Sequence, residues 1–460
     1  MPPHDIPLAV ADTEARFSLI PPTINQRDAG LIRAVGTGAL AAALVNMVIG
    51  AGIFTIPSAL AAAMGVYAPL AFVICGIAMA AIAICFAEGG SRIPSSGGAY
   101  GYIEAAFGPL TGFVTGNLLW LSGVLACGAV ASALADMTAS LLAPAWFAGA
   151  THAAVIVGVI GVNAYVSIAG VSQSARLISI ATVIKLVPIL LFVTIGAFAV
   201  HASNLSLAAI PSPQDIGRGS ILALFAYSGM EATLGASGEV AEPAKAIPRA
   251  LLMAMVAVAV IYVSIQTIAQ GILGGALGEA TTPLAAAMAA VHPVLRVMML
   301  AGAGFSMLAW MSSDFLGNPR ILFAVARDGF LPQALGRVHP RTHTPHVAIT
   351  CYAALSIGLA LSGTFAELAV LSTLATSVVY VLGSLAAWRL ARQSVALAGP
   401  PLNFPWLGTA AVVATFSMIV LTALASWTEI VGIAALVGAI VTAYGLQAWR
   451  RAPQPDYEQV

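Results

Sequence analysis

The sequence predicts an all-α integral membrane protein with twelve transmembrane helices, and three observations support this. Of its 460 residues, 60% are hydrophobic and only 8% are charged, whereas an ordinary globular domain carries about 25% charged residues. The mean hydropathy is +0.96. Apolar stretches of about 20 residues, the length that a helix needs to cross a bilayer, recur along the whole chain. Such long unbroken stretches also exclude a transmembrane β-barrel.

The twelve predicted spans are bounded by polar or turn-forming residues. They cover residues 34–62, 66–90, 100–134, 150–171, 174–200, 217–238, 249–274, 293–326, 346–363, 366–391, 405–425 and 428–449. Because twelve is an even number, both termini lie on the same side of the membrane. The tails at 1–33 and 450–460 are predicted to lie in the cytoplasm.

The distribution of basic residues predicts this orientation, since Lys and Arg accumulate in cytoplasmic loops. With a cytoplasmic N-terminus, fifteen of the 18 Lys and Arg residues fall on the inner side. Two, Arg218 and Arg296, fall on the outer side, and Lys185 falls within the membrane. Short loops and the lack of a recognisable targeting segment indicate a bacterial inner membrane, which is the plasma membrane of the cell.

Composition also limits the partners. The net formal charge is zero, which argues against a nucleic-acid partner. Four cysteines lie in apolar runs and are predicted to be buried thiols, not disulfides or a metal set. The sequence has no HExxH motif, no evident Ser/His/Asp set and no nucleotide-binding loop, so we expect neither an enzyme nor an ATP-driven pump, and no cofactor. The lipid bilayer is the expected surrounding, with the chain as a monomer or a weak homo-oligomer.

The first predicted span is interrupted near its middle by Gly50-Ala51-Gly52. Glycine destabilises a helix interior by about 1 kcal/mol relative to alanine and permits unwound backbone. Free N–H and C=O groups at bilayer depth are tolerated only where they face protein, water or a ligand. A broken helix near the midplane is therefore a candidate binding site of the kind that secondary transporters use.

A second interruption is predicted in the sixth span, where Ser228-Gly229 is followed by Glu231. Spans 1–5, at 34–200, and spans 6–10, at 217–391, then form two units of opposite orientation, and two further helices follow at 405–449. Each unit opens with a broken helix, as in transporters built from inverted repeats. The alternative is that Ser and Gly merely let neighbouring helices approach closely.

The paired breaks suggest a zwitterionic ligand. A half-helix N-terminus offers N–H groups and partial positive charge, whereas a C-terminal end and unwound carbonyls offer partial negative charge. We expect a substrate carboxylate at the N–H groups of 50–52 and an ammonium group at carbonyls of Ile49, Phe225 and Ala226. This arrangement favours an α-amino acid over a sugar or a simple anion, and Ser228 is included in the predicted substrate site.

Lys185 lies near the middle of the fifth span, which argues against the alternative that its side chain snorkels to an interface. A buried ammonium costs several kcal/mol, so a functional role is expected. Removal from water disfavours the charged form, so this lysine could load and release a proton, and when protonated it supplies a fixed charge in place of a sodium ion. Tyr262 is a candidate hydrogen-bond partner for the amine, with packing or interface anchoring as the alternative.

Three acidic residues have separate interpretations. Asp314, in the eighth span, could pair with Lys185, contact a cationic substrate or lie in an inner vestibule, and the sequence does not choose among these. Glu231 is expected to bond backbone freed by the second break. Glu88, at the end of a span, is expected to be solvated or to cap a helix.

Five segments resemble amino acid permeases of the amino acid–polyamine–organocation family. They are GAGIF (50–54), IPSSGGAYGYIEAAFGPLTGF (93–113), FAYSGMEA (225–232), GEVAEPAKAIPRA (238–250) and PRILFAVARDGFLP (319–332). Because they span both units and several loops, the resemblance extends over nearly the whole chain.

The resemblance implies a leucine-transporter-like fold of ten core helices plus two, working by alternating access. The four residues from Gly50 to Ile53 match the family's substrate-binding turn, and Phe225 matches the aromatic of helix 6 that closes over the substrate. Lys185 matches the helix-5 lysine of proton-coupled members. Ala51 stands where many members have Ser, and Met230 where many have an aromatic.

The predicted function is import of an amino acid, coupled to protons through Lys185. A mainly apolar site with small residues favours a small neutral amino acid, whereas Asp314 keeps a cationic amino acid or a polyamine open. Two alternatives remain: an exchanger in which Lys185 is a fixed charge, and a sensor that binds an amino acid without transporting it.

Overall fold

The computed structural model describes residues 36–93, 99–142, 148–170, 175–206, 210–231, 243–327, 331–397 and 400–451. Within these ranges all the regular structure is helical. The described α-helices are α1 Thr37–Val48, α2 Gly52–Met64, α3 Ala68–Arg92, α4 Ala99–Phe107, α5 Pro109–Leu142, α6 Ala148–Ile168, α7 Ala175–Gly196, α8 Pro213–Tyr227, α9 Pro243–Leu273, α10 Pro283–Val291, α11 Pro293–Arg327, α12 His346–Ser362, α13 Phe365–Arg392, α14 Leu407–Ala423 and α15 Trp427–Arg451.

These helices are those of a multi-pass membrane protein. In the described part of the chain, seven helical stretches are long and apolar enough to cross a membrane. Four shorter apolar helical segments accompany them, at Thr37–Val48, Ile184–Ala199, His346–Ser362 and Leu407–Ala423. Large apolar side chains such as Ile77 and Val162 are more than half exposed, as expected of a surface whose solvent is lipid. The number of twelve spans stays a prediction.

The packing brings the predicted broken helices to the centre of the bundle. α9 packs against α1 and α3, and α8 packs against α2 and α3. α5 contacts α11, α12 and α13, while α7 lies against α1 and α11. α1, α2 and α8 are therefore enclosed by helices drawn from both predicted units, whereas α15 lies at the periphery, with most of its central residues exposed.

Local signals explain several helix boundaries. α13 begins with a capping box in which the Thr364 hydroxyl accepts a hydrogen bond from the N–H of Glu367, and the Glu367 carboxylate accepts one from the N–H of Thr364. Ser212 caps α8 in a similar way, accepting from the N–H of Asp215 at 3.2 Å. Such caps satisfy N–H groups that the helix itself leaves free.

The expectation that Glu88 is solvated or capping is wrong. Glu88 is completely buried in α3 and forms an ion pair with Arg92 at 2.8 Å. Its carboxylate also accepts hydrogen bonds from the N–H groups of Asn403 and Phe404, at 3.2 and 3.0 Å. These partners precede α14 and lie more than 300 residues away in sequence, so the end of α3 is joined to a distant connection.

Candidate functional site

The first helix interruption lies where the sequence predicts it. α1 ends at Val48 and α2 begins at Gly52, so residues 49–51 are not helical. The N–H of Gly50 donates to the carbonyl of Val48 at 2.9 Å, which turns the chain sharply. α2 has no side-chain cap, and the N–H groups of Gly52 and Ile53 have no hydrogen-bond acceptor among the described residues. The start of α2 therefore presents free N–H groups and the positive end of a helix dipole.

The second interruption follows α8, which ends at Tyr227. Gly229 has φ of +117°, a conformation that residues with a side chain rarely adopt. Both carboxylate oxygens of Glu231 lie 3.1 Å from the N–H of Gly229 and accept from it, and the Tyr380 hydroxyl donates to one of them at 2.9 Å. Glu231 thus bonds backbone freed by the break, as predicted. The rest of the predicted sixth span, from residue 232, lies outside the described residues.

The two interruptions touch each other. A Cβ atom built at Gly52 would lie 3.1 Å from Cα of Ala226, and one built at Gly229 would lie 2.9 Å from the carbonyl oxygen of Met47. Because backbone atoms occupy both positions, only glycine allows this approach. The two breaks therefore lie side by side, with backbone of one in contact with backbone of the other.

Tyr262 joins the two interruptions. Its hydroxyl lies 3.0 Å from the carbonyl oxygen of Val48 and 2.9 Å from that of Ala226, and the side chain is completely buried in α9. The sequence makes Tyr262 a candidate hydrogen-bond partner of the Lys185 amine, but the hydroxyl bonds to these two carbonyls instead. The hydroxyl thus lies within hydrogen-bond distance of one acceptor on each broken helix and can donate its single proton to either.

Lys185 of α7 is completely buried, and its ammonium reaches the end of α1. Nζ donates to the carbonyl of Asn46 and, at 2.8 Å, to that of Ile49. These carbonyls belong to the negative end of the α1 dipole, where a cation is stabilised. The side chain therefore does not snorkel to an interface but occupies a cation position at the first break.

The three carbonyls predicted to receive a substrate ammonium already accept hydrogen bonds within the protein. Ile49 accepts from Lys185, Ala226 from Tyr262, and Phe225 from the N–H of Ser228 at 3.2 Å. The Ser228 hydroxyl donates to Leu224 at 3.1 Å. Since a carbonyl oxygen has two lone pairs, each can accept a second bond.

Two residues of α11 complete the site, and sequence reasoning missed both. A Cβ built at Gly50 would lie 2.9 Å from the indole ring of Trp310, so this ring covers the break. The Ser306 hydroxyl donates to the Gly50 carbonyl at 3.4 Å. The signal that could have found them is their spacing: Ser306, Trp310 and Asp314 are four residues apart and share one helix face.

Asp314 is buried away from the breaks. Its carboxylate accepts from the Tyr352 hydroxyl and the Asn318 amide, both at 2.5 Å. Ion pairs in the described residues involve other groups, so Asp314 does not pair with Lys185.

A small cavity lies on the α2 side of the first break, between α2, α5, α10 and α11. Its lining is mainly apolar, with Phe54, Met137 and Met307 among its members, and it contains the hydroxyl groups of Thr55 and Thr282. The described residues that line it are all uncharged.

Comparison with known proteins identifies the class of molecule. The family model described as "Amino acid permease" matches residues 35–443. The methylthioribose transporter of Bacillus subtilis is 32% identical over 72% of this chain and 76% of its own length. The branched-chain amino acid permease BcaP of the same organism is 28% identical over 74% and 77% of the two chains, and its serine/threonine exchanger SteT is 28% identical over 81% and 86%.

These relatives are membrane transporters and not enzymes, as the sequence predicts. The match covers both interruptions, Lys185 and the surrounding helices. The chain therefore belongs to the amino acid permease family, consistent with the amino acid–polyamine–organocation transporters that its sequence resembles.

Proposed function

We propose that this protein is a secondary active transporter that uses a proton gradient to import a small neutral amino acid. The observation that carries the proposal is the Lys185 ammonium, which lies on the carbonyls of Asn46 and Ile49 at a broken transmembrane helix. A titratable cation thus holds the backbone beside the candidate substrate site. Buried ionisable groups in transporters are expensive and mark proton or ion pathways.

The substrate is held by both of its charged ends. Its carboxylate accepts from the free N–H groups of Gly52 and Ile53, where the helix dipole favours an anion. Its ammonium shares the carbonyl oxygens of Ile49, Phe225 and Ala226, each of which has a lone pair left. The uncharged, largely apolar cavity beside Thr55 supports a neutral side chain.

Lys185 couples this site to protons. In its protonated form the ammonium makes charge-assisted hydrogen bonds to α1, which are about twice as strong as neutral ones. Loss of the proton weakens both bonds and releases the end of α1. The orientation of α1 relative to α7 then depends on protonation, which is the property that alternating access coupled to protons requires.

The proposal includes a leucine-transporter-like architecture of two inverted five-helix units and two further helices. The contacts between helices support it, because a contact that joins the two units has a counterpart in which the units are swapped. The contact of α1 with α9 corresponds to the contact of α8 with α3. The contact of α7 with α11 corresponds to the contact of α13 with α5. With both termini in the cytoplasm of a bacterial cell, α2 lies towards the outer side of the plasma membrane.

A second candidate is obligate exchange with the same substrate class, in which Lys185 stays protonated as a fixed charge. The similarity to a serine/threonine exchanger favours it. A non-transporting sensor is a third alternative, since it would bind through the same groups.

Uptake by the full chain in proteoliposomes tests the proposal. Radiolabelled amino acids, a polyamine and methylthioribose are offered with an inward proton gradient, an inward sodium gradient or neither. We expect accumulation of a neutral amino acid with the proton gradient into liposomes that contain no internal substrate. Uptake that requires internal substrate indicates exchange, accumulation that follows sodium contradicts the coupling, and binding by thermal shift without flux indicates a sensor.

A further inference from the structure

The geometry points to Asp314 as a second proton-carrying group, separate from Lys185 and on the opposite side of the candidate substrate site from α2. This inference rests on the proposed function. Asp314 lies at the junction of α5, α11 and α12 and is 3% exposed. A carboxyl group that is buried in this way is either ionised, with a nearby positive charge that compensates it, or protonated and neutral.

Among the described residues, the neighbours of Asp314 supply hydrogen bonds but no positive charge. Tyr352 of α12 is completely buried and packs edge-on against Phe315, with ring centroids 5.2 Å apart. Asn318 lies one turn further along α11 and fills the space where a side chain at Gly123 of α5 would lie. The junction is therefore tightly packed as well as polar.

The titratable groups that face Asp314 are neutral at physiological pH. They are the thiol of Cys127 on α5 and the phenol of Tyr352 on α12. α6 contributes uncharged groups: Asn163 accepts from Ser312, and Ser167 donates to the carbonyl of Phe315. Arg320, on α11 itself, is exposed six residues further on.

The ammonium of Lys185 does not compensate the carboxylate. It bonds to the carbonyls of Asn46 and Ile49, and the ion pairs found among the described residues do not include Asp314. Burial without a cation disfavours the ionised carboxylate by several kcal/mol, whereas the hydrogen bonds from Tyr352 and Asn318 oppose this effect in part. We assign a proton to the group in this conformation.

A metal cation is a poorer occupant than a proton. Tyr352 and Asn318 direct an O–H and an N–H towards the carboxylate, whereas a cation needs lone pairs directed at it. The described residues hold no cluster of three or more His, Cys, Asp or Glu side chains suited to a metal.

Asp314 is connected to the candidate substrate site through α11. Trp310 and Ser306, which contact Gly50, lie on the same helix face one and two turns before it, respectively. A displacement of α11 relative to α5 and α12 would admit water to the junction. The O–H bond of the acid then breaks, its proton passes to that water on the cytoplasmic side, and the hydrated carboxylate remains.

The test compares the wild-type chain with Asp314→Asn in proteoliposomes, measuring proton entry with a pH indicator and substrate entry with radiolabel in the same vesicles. We expect the proton-to-substrate ratio to fall by about one. At a gradient of one pH unit and zero membrane potential, the loss of one coupled proton lowers accumulation about tenfold, because a tenfold ratio corresponds to about 1.4 kcal/mol. Ser313→Ala is the matched control, since among the described residues that neighbouring hydroxyl bonds within α11, to the carbonyl of Ala309.

An infrared measurement makes the test independent of transport. The wild-type chain should show a carboxylic acid band, sensitive to deuterium exchange, that is lost in Asp314→Asn and shifted in Asp314→Glu. An unchanged proton-to-substrate ratio in a folded Asp314→Asn variant, or a band that neither substitution alters, would overturn the inference. Absence of wild-type flux with every substrate instead overturns the proposed function, so the two failures are distinguishable.

Discussion

The two helix interruptions are stabilised in different ways. At the first, carbonyls released by the break accept from donors on three other helices: Lys185 of α7, Tyr262 of α9 and Ser306 of α11. At the second, the released N–H of Gly229 is held locally by Glu231, two residues away, and Tyr380 of α13 supports that carboxylate. The released carbonyls of the first break therefore depend on how several helices are placed. At the second break the released N–H is held by a neighbouring residue, although Tyr262 and Tyr380 also contact this region from other helices.

This difference indicates where energy coupling resides. A break held by an ammonium from another helix changes when that ammonium loses its proton or when the helix moves. A break whose released N–H is held by a neighbouring residue depends less on either event. We therefore expect substitutions at the first break to alter coupling and those at the second to alter stability and rate.

The largest effect is expected for Lys185→Ala. Without the ammonium, the Asn46 and Ile49 carbonyls lose their charged partner, and protonation no longer changes the hold on α1. Substrate binding by thermal shift should remain measurable, while accumulation driven by a proton gradient should be abolished. Ile184→Ala, one residue away at a position that is 46% exposed, is the control and should accumulate normally. Equal accumulation by Lys185→Ala and wild type would refute the titrating role.

A smaller effect, on stability and rate, is expected for Gly229→Ala. The positive φ is unfavourable for alanine, and the added methyl group meets the Met47 carbonyl at 2.9 Å. Together these should lower the free energy of unfolding by about 1–3 kcal/mol and slow transport, without changing the proton-to-substrate ratio. Thermal unfolding in detergent and initial uptake rates measure both quantities.

The control for that substitution is Gly158→Ala on α6, where a new methyl group meets nothing within 4 Å. It should leave the unfolding temperature unchanged or raise it slightly, since alanine favours helix more than glycine does. If the two variants behave alike, the close contact between the breaks is not what holds the second one.

Much of the site could be predicted because its signals are local. Glycines in an apolar run indicate a break, a lysine amid apolar residues indicates a buried charge, and Glu231 lies two residues from the N–H that it caps. The family resemblance, confirmed by the comparison, rests on segments that include both breaks. These features can be interpreted from neighbouring residues and from the low polarity of the bilayer alone.

The remainder depends on contacts between distant parts of the chain. The bonds from Lys185 to α1 join residues 136 and 139 positions apart, and those from Glu88 to Asn403 and Phe404 join residues 315 and 316 apart. A carboxylate near a span end looks solvated until its distant partner is known. Trp310 is likewise an ordinary apolar residue in sequence, and only the packing of α11 places its ring on Gly50.

The smallest effect is expected for Tyr262→Phe, which sharpens the comparison because Tyr262 touches both breaks. Removing the hydroxyl leaves the Val48 and Ala226 carbonyls without this donor, which should lower the free energy of unfolding by about 1–2 kcal/mol. Binding and proton-driven accumulation should both persist, since the Lys185 bonds do not involve this hydroxyl.

Tyr165→Phe is the matched control for Tyr262→Phe, because that tyrosine lies on α6 and is 74% exposed. Thermal unfolding and the proton-to-substrate ratio are measured for both variants. If Tyr262→Phe is as stable as the control but loses proton-driven accumulation, Tyr262 belongs to the proton path. That outcome would agree with the sequence-based prediction that Tyr262 is a partner of the Lys185 amine. If it loses stability and keeps the ratio, its hydroxyl joins the two breaks mechanically, and the coupling at the first break depends on Lys185.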